Sequence, residues 1–266
     1  MSLLRVTILG CGSSGGVPRL GGRWGACDPT NPRNRRRRCS ILVERVAAGG
    51  ATRLLVDCGP DLRDQLLDRG VGTLDAVLVT HEHADHVHGV DDLRQIVFNR
   101  RARLPCWTSP NCAAVLRTRF GYVFETPPGS GYPPILDLRE IDGPFAIEGD
   151  GGPIEVLPFS TPHGRIEALG FRFGPVAYLP DVSAMSAEAW AAVAEADCWI
   201  VDALRYEPHE SHSHLEQTLE WIERARVGRA VITNMHVDLD HDRVMAETPA
   251  NVAPAFDGMT LDFRIR

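Results

Sequence analysis

His81, His83, Asp85 and His86 fall within six residues of a chain that holds 10 histidines in 266 residues. Three imidazoles and a carboxylate in H-x-H-x-D-H spacing form a metal-binding pattern rather than a chance gathering on a solvated loop. Side chains two apart in extended chain share one side. His81 and His83 can therefore grip one ion, while Asp85 and His86, where the chain turns toward helix, face another. Imidazole nitrogen with carboxylate oxygen suits zinc, manganese or iron far better than calcium.

Something rigid must hold these side chains. The preceding run Leu74-Asp75-Ala76-Val77-Leu78-Val79 is short, apolar and rich in valine and leucine, which predicts a buried strand that ends at Thr80 and delivers the ligands at its C-terminal end. Further β-rich runs are expected at Leu4–Leu9, Ser40–Glu44, Arg53–Asp57, Pro153–Leu157, Leu169–Phe173, Val176–Leu179, Cys198–Val201, Ala230–Ile232 and Leu261–Ile265. Helical patterns are expected at Asp61–Asp68, Asp91–Phe98, Asn111–Phe120, Ser186–Ala194 and Leu215–Arg226. Strands grouped before helices in each half, rather than strictly alternating, predict sheets packed face to face and covered by helices. No stretch is rich enough in Gly, Ser or Pro to divide the chain, so residues 1–266 read as a single domain. Thr126–Pro134 reads as a surface excursion.

Composition is that of an ordinary globular protein, long enough to bury a substantial core. The formal net charge of -7 argues against a general binder of long nucleic acid. The 7 cysteines are scattered and odd in number, which favours reduced thiols and a cytoplasmic location. The apolar stretch near the N-terminus is too short for a signal sequence and runs into an expected strand, and no apolar run reaches the roughly 20 residues of a membrane span.

H-x-H-x-D-H at a strand end, preceded by Leu54-Leu55-Val56-Asp57-Cys58-Gly59, resembles the metallo-β-lactamase superfamily. That resemblance implies an α/β fold, the αββα four-layer sandwich, and three more ligands downstream: a histidine, a bridging aspartate and a last histidine. His163 in Ser160-Thr161-Pro162-His163-Gly164, Asp181 in Tyr178-Leu179-Pro180-Asp181 and His236 in Thr233-Asn234-Met235-His236 match in order, each after an apolar β-like run. By resemblance, His81, His83 and His163 hold one divalent ion, Asp85, His86 and His236 hold a second, and Asp181 bridges; zinc and manganese both suit the set. Asp85 and Asp181 are thereby candidate catalytic residues as well as ligands. Two adjacent ions imply hydrolysis. Asp57 is a candidate acceptor for a ligand imidazole, or equally a strand-end turn residue.

The run Glu210-Ser211-His212-Ser213-His214-Leu215-Glu216 resembles the histidine-then-helix segment of the phosphodiesterase branch, shared by ribonuclease Z and the phosphoribosyl cyclic phosphate diesterase. The resemblance implies that His212 lies near the leaving group, where it can donate a proton; His214 is the alternative, and His88, His209 and His241 have no assigned role. Only residues 164–180 lie between His163 and Asp181, too few for the long arm of ribonuclease Z proper. Gly10-Cys11-Gly12-Ser13-Ser14-Gly15-Gly16 and Phe256-Asp257-Gly258-Met259 look more like the cyclic phosphate diesterase. That enzyme's structural zinc site is matched here by Gly22, Trp24, Cys27 and Leu239, so this second site is expected to be absent, with Cys27 and Cys39 left as thiols. The basic run Arg33 and Arg35–Arg38 reads as a surface or salt-bridged feature ahead of a phosphate site.

The expected activity is hydrolysis of a small, cyclic phosphate ester of a sugar or nucleotide by two zinc or manganese ions. The partner is that small molecule, with no membrane; a homodimer stays open. A thioesterase or lactonase of the same superfamily and a non-catalytic carrier remain the alternatives.

Overall fold

The structure, a computed structural model, describes residues 2–265. In chain order its elements are β1 (Ser2–Gly10), β2 (Ser40–Ala47), β3 (Gly50–Val56), α1 (Leu62–Asp68), β4 (Ala76–Leu78), α2 (Ala84–Val87), α3 (Leu93–Arg100), β5 (Leu104–Thr108), α4 (Pro110–Phe124), β6 (Leu136–Glu140) and β7 (Phe145–Ile147). Then follow β8 (Ile154–His163), β9 (Ile166–Phe173), β10 (Val176–Leu179), α5 (Ala187–Ala194), β11 (Cys198–Asp202), α6 (Leu215–Ala225), β12 (Arg229–Thr233), α7 (His241–Glu247), β13 (Val252–Pro254) and β14 (Thr260–Ile265). They form two compact units. One holds the residues up to Thr7, Ser40–Ile154 and those from Thr260 on; the other holds Ile8–Cys39 and Glu155–Met259.

In the first unit the strand order is β14-β1-β2-β3-β4-β5-β6. β2 and β3 pair antiparallel as a hairpin, whereas β3, β4, β5 and β6 run parallel. Leu54-Leu55-Val56 and Ala76-Val77-Leu78 are buried at every position. Such unbroken apolar runs are what parallel interior strands require, and they put the loop from Thr80 to Val87 at a C-terminal strand end. The helix after β5 starts on Ser109, whose side chain accepts from the Cys112 amide at 3.2 Å, with Pro110 in its first turn. Residues 126–134 form the exposed connection expected between α4 and β6.

In the second unit β8 to β13 are ordered β13-β12-β11-β10-β9-β8. β8, β9 and β10 are antiparallel neighbours, and β10, β11, β12 and β13 are parallel. β8 is longer than the apolar run Pro153–Leu157 suggests, because Ser160 to His163 pair with Leu169 back to Ile166 and so continue as strand despite their polarity. The register pairs Leu179 with Val201 and Asp202 with Thr233, so three parallel strands end side by side. Asp181, Asp202 and Asn234 leave the sheet together there, at the edge where open α/β sheets carry their chemistry.

Candidate active site

The first unit's ligand loop is built around Asp57. Its carboxylate is fully buried and accepts from the Thr80 amide (2.8 Å), from Thr80 Oγ1 (2.9 and 3.0 Å) and from His86 Nδ1 (2.7 Å). Burial pushes the Asp57 carboxyl up, while His86 and the Thr80 donors pull it down. Holding the His86 Nδ1 proton leaves Nε2 with its lone pair available. One turn of helix, α2, then sets Asp85 beside His86, with Asp85 Oδ2 at 3.5 Å from His86 Nε2. His81 Nε2 and His83 Nδ1 are 3.0 Å apart, and the His81 ring centroid lies 4.6 Å from that of His83 and 4.2 Å from that of His86. The converging imidazole nitrogens with the Asp85 carboxylate make a donor set that fits a divalent cation.

The second unit carries a matching set. His163, the last residue of β8, has its Nδ1 at 2.6 Å from the Ser211 carbonyl, which fixes a proton there and turns Nε2 toward Asp181 Oδ1 at 3.7 Å. An imidazole whose other nitrogen donates to a carbonyl is the usual form of a metal ligand. His163, Asp181 and His212 each offer a ligand atom, all within 4.8 Å of one another. His212 Nδ1 lies 2.9 Å from Asp202 Oδ2 and 3.5 Å from Asp181 Oδ1. Asn234, at φ 60, donates from Nδ2 to Asp181 Oδ1 (3.3 Å) and Asp202 Oδ1 (3.2 Å). Burial pushes Asp202 up to about 6, against the pull of His212. His236 Nδ1 meets Asp238 Oδ2 at 2.8 Å, and its Nε2 is bonded by Arg19 Nη2. Desolvation lowers the His236 pKa, which favours the neutral ring that a metal needs.

A family model described as the beta-lactamase superfamily domain matches residues 52–235. The chain belongs to the metallo-β-lactamase superfamily. The fold is the α/β fold expected of that superfamily. A solved structure described as a new diphosphatase from the PhnP family is 32% identical and covers 99% of this chain and 98% of its own, with a TM-score of 0.87. A ribonuclease Z from Mycobacterium sp. is 29% identical over 263 residues, 87% of this chain and 84% of its own length. A Porphyromonas gingivalis protein named octanoyltransferase is 34% identical over 261 residues, 96% of this chain; the chain spans only 51% of that relative's length.

Set against the superfamily pattern, three local features are informative. At the positions matching a structural zinc site, Cys27 directs its thiol at the Val237 (3.3 Å) and Leu239 (3.5 Å) carbonyls, within an apolar cluster of Val17, Trp24, Cys27 and Val237. The basic run is absorbed by the fold: Arg33 lies over the Phe256 ring, Arg35 over Trp24, buried Arg36 reaches Asn34 and the His236 carbonyl, and Arg37 pairs with Asp257. His214 occupies the residue before α6 without capping it, whereas His212, two residues earlier, meets the carboxylates.

Asp202, Asn234 and Arg19 were not picked out from the sequence. For Asp202 the signal was available: Cys198-Trp199-Ile200-Val201-Asp202 repeats the apolar-run-then-aspartate pattern of Leu54-Leu55-Val56-Asp57 and Tyr178-Leu179-Pro180-Asp181. Arg19 had none, since its place depends on how a glycine-rich loop folds back. No helix among the described residues is long and apolar enough to cross a membrane.

Proposed function

We propose that the protein is a dinuclear phosphodiesterase that hydrolyses a small phosphate ester, a cyclic phosphate of a sugar or nucleotide such as phosphoribosyl cyclic phosphate. The observation that carries this reading is the His212–Asp202 pair beside Asp181, with Nδ1 to Oδ2 at 2.9 Å. A carboxylate on Nδ1 keeps a proton there and stabilises the imidazolium, so that Nε2 can give a proton to a departing alkoxide. Phosphate esters with alkyl leaving groups need such a donor.

In this reading His81, His83 and His163 hold one divalent ion, Asp85, His86 and His236 hold the other, and Asp181 serves both. When bound, two such ions supply Lewis acidity toward phosphoryl oxygens and lower the pKa of water. The chain's own residues keep each ligand in its metal-binding form: Asp57 holds the Nδ1 proton of His86, the Ser211 carbonyl that of His163, and Asp238 faces Nδ1 of His236. Nitrogen and carboxylate donors accept zinc or manganese, so metal supply sets occupancy. The diphosphatase of the PhnP family and the ribonuclease Z relatives support a phosphorus ester as the substrate class.

A screen over cyclic phosphates, linear phosphodiesters, thioesters and lactones, with zinc or manganese added back, tests the reading. Selective hydrolysis of five-membered cyclic phosphates is expected, and Asp181→Ala should lose both turnover and at least one metal. Full activity with unchanged metal content in that variant would sink the mechanism.

The relative named octanoyltransferase favours a second reading, a thioester or carboxylic ester hydrolase. A thiolate leaves without protonation, so His212→Ala separates the two. On a phosphodiester with an alkyl leaving group the variant should lose about 10²–10⁴ in turnover, the usual contribution of a general acid. Loss of this size confined to the phosphodiester supports the first reading; rapid thioester hydrolysis untouched by the substitution supports the second.

A further inference from the structure

We infer that the cleft beside α6 is a binding site for a linear aliphatic polyamine, a chain of methylenes interrupted by ammonium groups. It lies wholly within the second unit, and none of its lining residues is a candidate metal ligand. The inference is independent of the phosphodiesterase reading.

The cleft has a volume of about 780 Å³, within the range of small-molecule sites. Its floor is apolar: Leu215, Ile222, Val227 and Val252 are buried along it, and Leu219 is half-buried. Glu216, Glu220 and Glu223, all exposed, line it from α6, and Glu247 from the end of α7. On α6 the apolar residues recur at positions 215, 219 and 222, and the glutamates repeat that spacing one residue on. An apolar stripe and an acidic stripe therefore run side by side along the helix.

An ordinary solvated helix face does not explain this pattern. Glu216 suits the first turn, but like charges three and four residues apart repel. Glu223 stands in the last turn, where the helix dipole disfavours negative charge. Among the described residues the carboxylates of Glu216, Glu220 and Glu223 have no ion pair or hydrogen bond. Neighbouring cations are engaged elsewhere: Arg224 lies over the Trp190 ring at 4.1 Å, and Arg243 pairs with Glu247 at 2.8 Å. Arg226 is the one cation among the described lining residues, set against the four glutamates.

At about 1.5 Å per residue, the three α6 carboxylates are stepped by about 6 Å and about 4.5 Å along the axis. Ammonium groups joined through three or four methylenes stand about 5–6 Å apart, close to the same step. The linking methylenes then have the apolar floor beneath them. A compact inorganic cation would leave that floor bare, and an uncharged alkyl chain would leave the carboxylates unmatched. Tyr206 and Leu215 both line the cleft and bracket the segment that carries His212. The Tyr206 hydroxyl donates to Glu247 Oε2 at 2.6 Å, and the Leu215 amide to the Arg205 carbonyl at 2.9 Å. Occupation of the cleft therefore clamps both ends of that segment.

Calorimetric titration of the metal-loaded full chain with spermine, with 1,12-diaminododecane and with magnesium chloride alone tests the site. Spermine should bind one-to-one, and the double variant Glu216→Gln/Glu220→Gln should raise its Kd roughly tenfold, as expected for two exposed ion pairs lost. The diamine keeps the length and the methylenes but has charge only at its ends, so it should bind more weakly than spermine. In the spermine complex, amide hydrogen exchange should slow between residues 206 and 215. Equal spermine affinity in the double variant, or magnesium bound as tightly as spermine and weakened equally by the substitutions, would reduce the cleft to a general acidic surface and overturn the assignment. Exchange unchanged in that segment would place the polyamine elsewhere and overturn it too.

Discussion

In the proposed mechanism His212 acts as an acid only if something sets its proton, and Asp202, with Oδ2 at 2.9 Å from Nδ1, is placed to do so. Asn234 already donates to Asp202 Oδ1, so in Asp202→Asn that oxygen stays with Asn234 and the new amide NH2 faces His212 Nδ1. A donor in place of a carboxylate removes the stabilisation of the imidazolium. Turnover on an alkyl phosphodiester should fall about a hundredfold, within the range of general acid catalysis, and far less on bis(p-nitrophenyl) phosphate, whose leaving group needs no proton. Equal losses on both substrates would mean that Asp202 merely holds structure. At this scale candidate ligands stand out in the sequence more readily than the groups that support them. Histidines in H-x-H-x-D-H spacing are rare enough to stand out, whereas an aspartate ending an apolar run reads equally as a strand terminus. Only the shared register of β10, β11 and β12 distinguishes Asp202 from the others.

At the scale of elements, the ligand loop depends on the junction between β3 and β4. Asp57 sits at φ 64 and its amide donates to the Leu78 carbonyl at 2.8 Å, while its carboxylate gathers Thr80 and His86. Replacing it with alanine leaves the buried Thr80 amide and hydroxyl and His86 Nδ1 short of an acceptor, at about 1–3 kcal/mol for each buried group left unsatisfied. Left-handed backbone on alanine adds about 1 kcal/mol. Asp57→Ala should therefore unfold at clearly lower urea concentration and bind its metals about 10–100-fold more weakly, as loss of a group behind a ligand imidazole does. Competition with a chelator checks the second figure; unchanged metal affinity would show that His86 needs no orienting group. Strands β3, β4, β10, β11 and β12 were legible because their apolar runs are unbroken. β5 was not, since Pro105 and alternating burial disguise it; nor was β6, whose Leu-Asp-Leu-Arg-Glu lacks β-branched residues. The helix α7 was missed because its start signal, Asp240 accepting from the Asp242 and Arg243 amides, precedes a mostly polar body.

For the whole molecule, the resemblance carried the fold further than periodicity did, because order and spacing of a few ligands survive where strand boundaries blur. Global stability has a separate handle in Asp257, which ties the segment before β14 to the loop after β1. Its oxygens accept from the Cys11 amide (3.2 Å), the Arg37 amide (2.8 Å) and Arg37 Nε (3.1 Å). Burial nevertheless pushes its carboxyl up to about 6, the Arg37 bonds pulling the other way. The unfolded chain titrates near 4, so between pH 4 and 6 the native state holds the extra proton, and stability from this group is present below about pH 4 and lost as pH rises through 6. Two pH units correspond to about 3 kcal/mol. Asp257→Asn has no such titration, so the stability of the wild type minus that of the variant should fall by up to about 3 kcal/mol from pH 4 to pH 6 and stay level above. Urea denaturation of both proteins at several pH values across that range measures the difference. Curves that run parallel throughout would mean that Arg37 and the backbone amides keep Asp257 ionised in the folded protein, and that burial is the weaker effect.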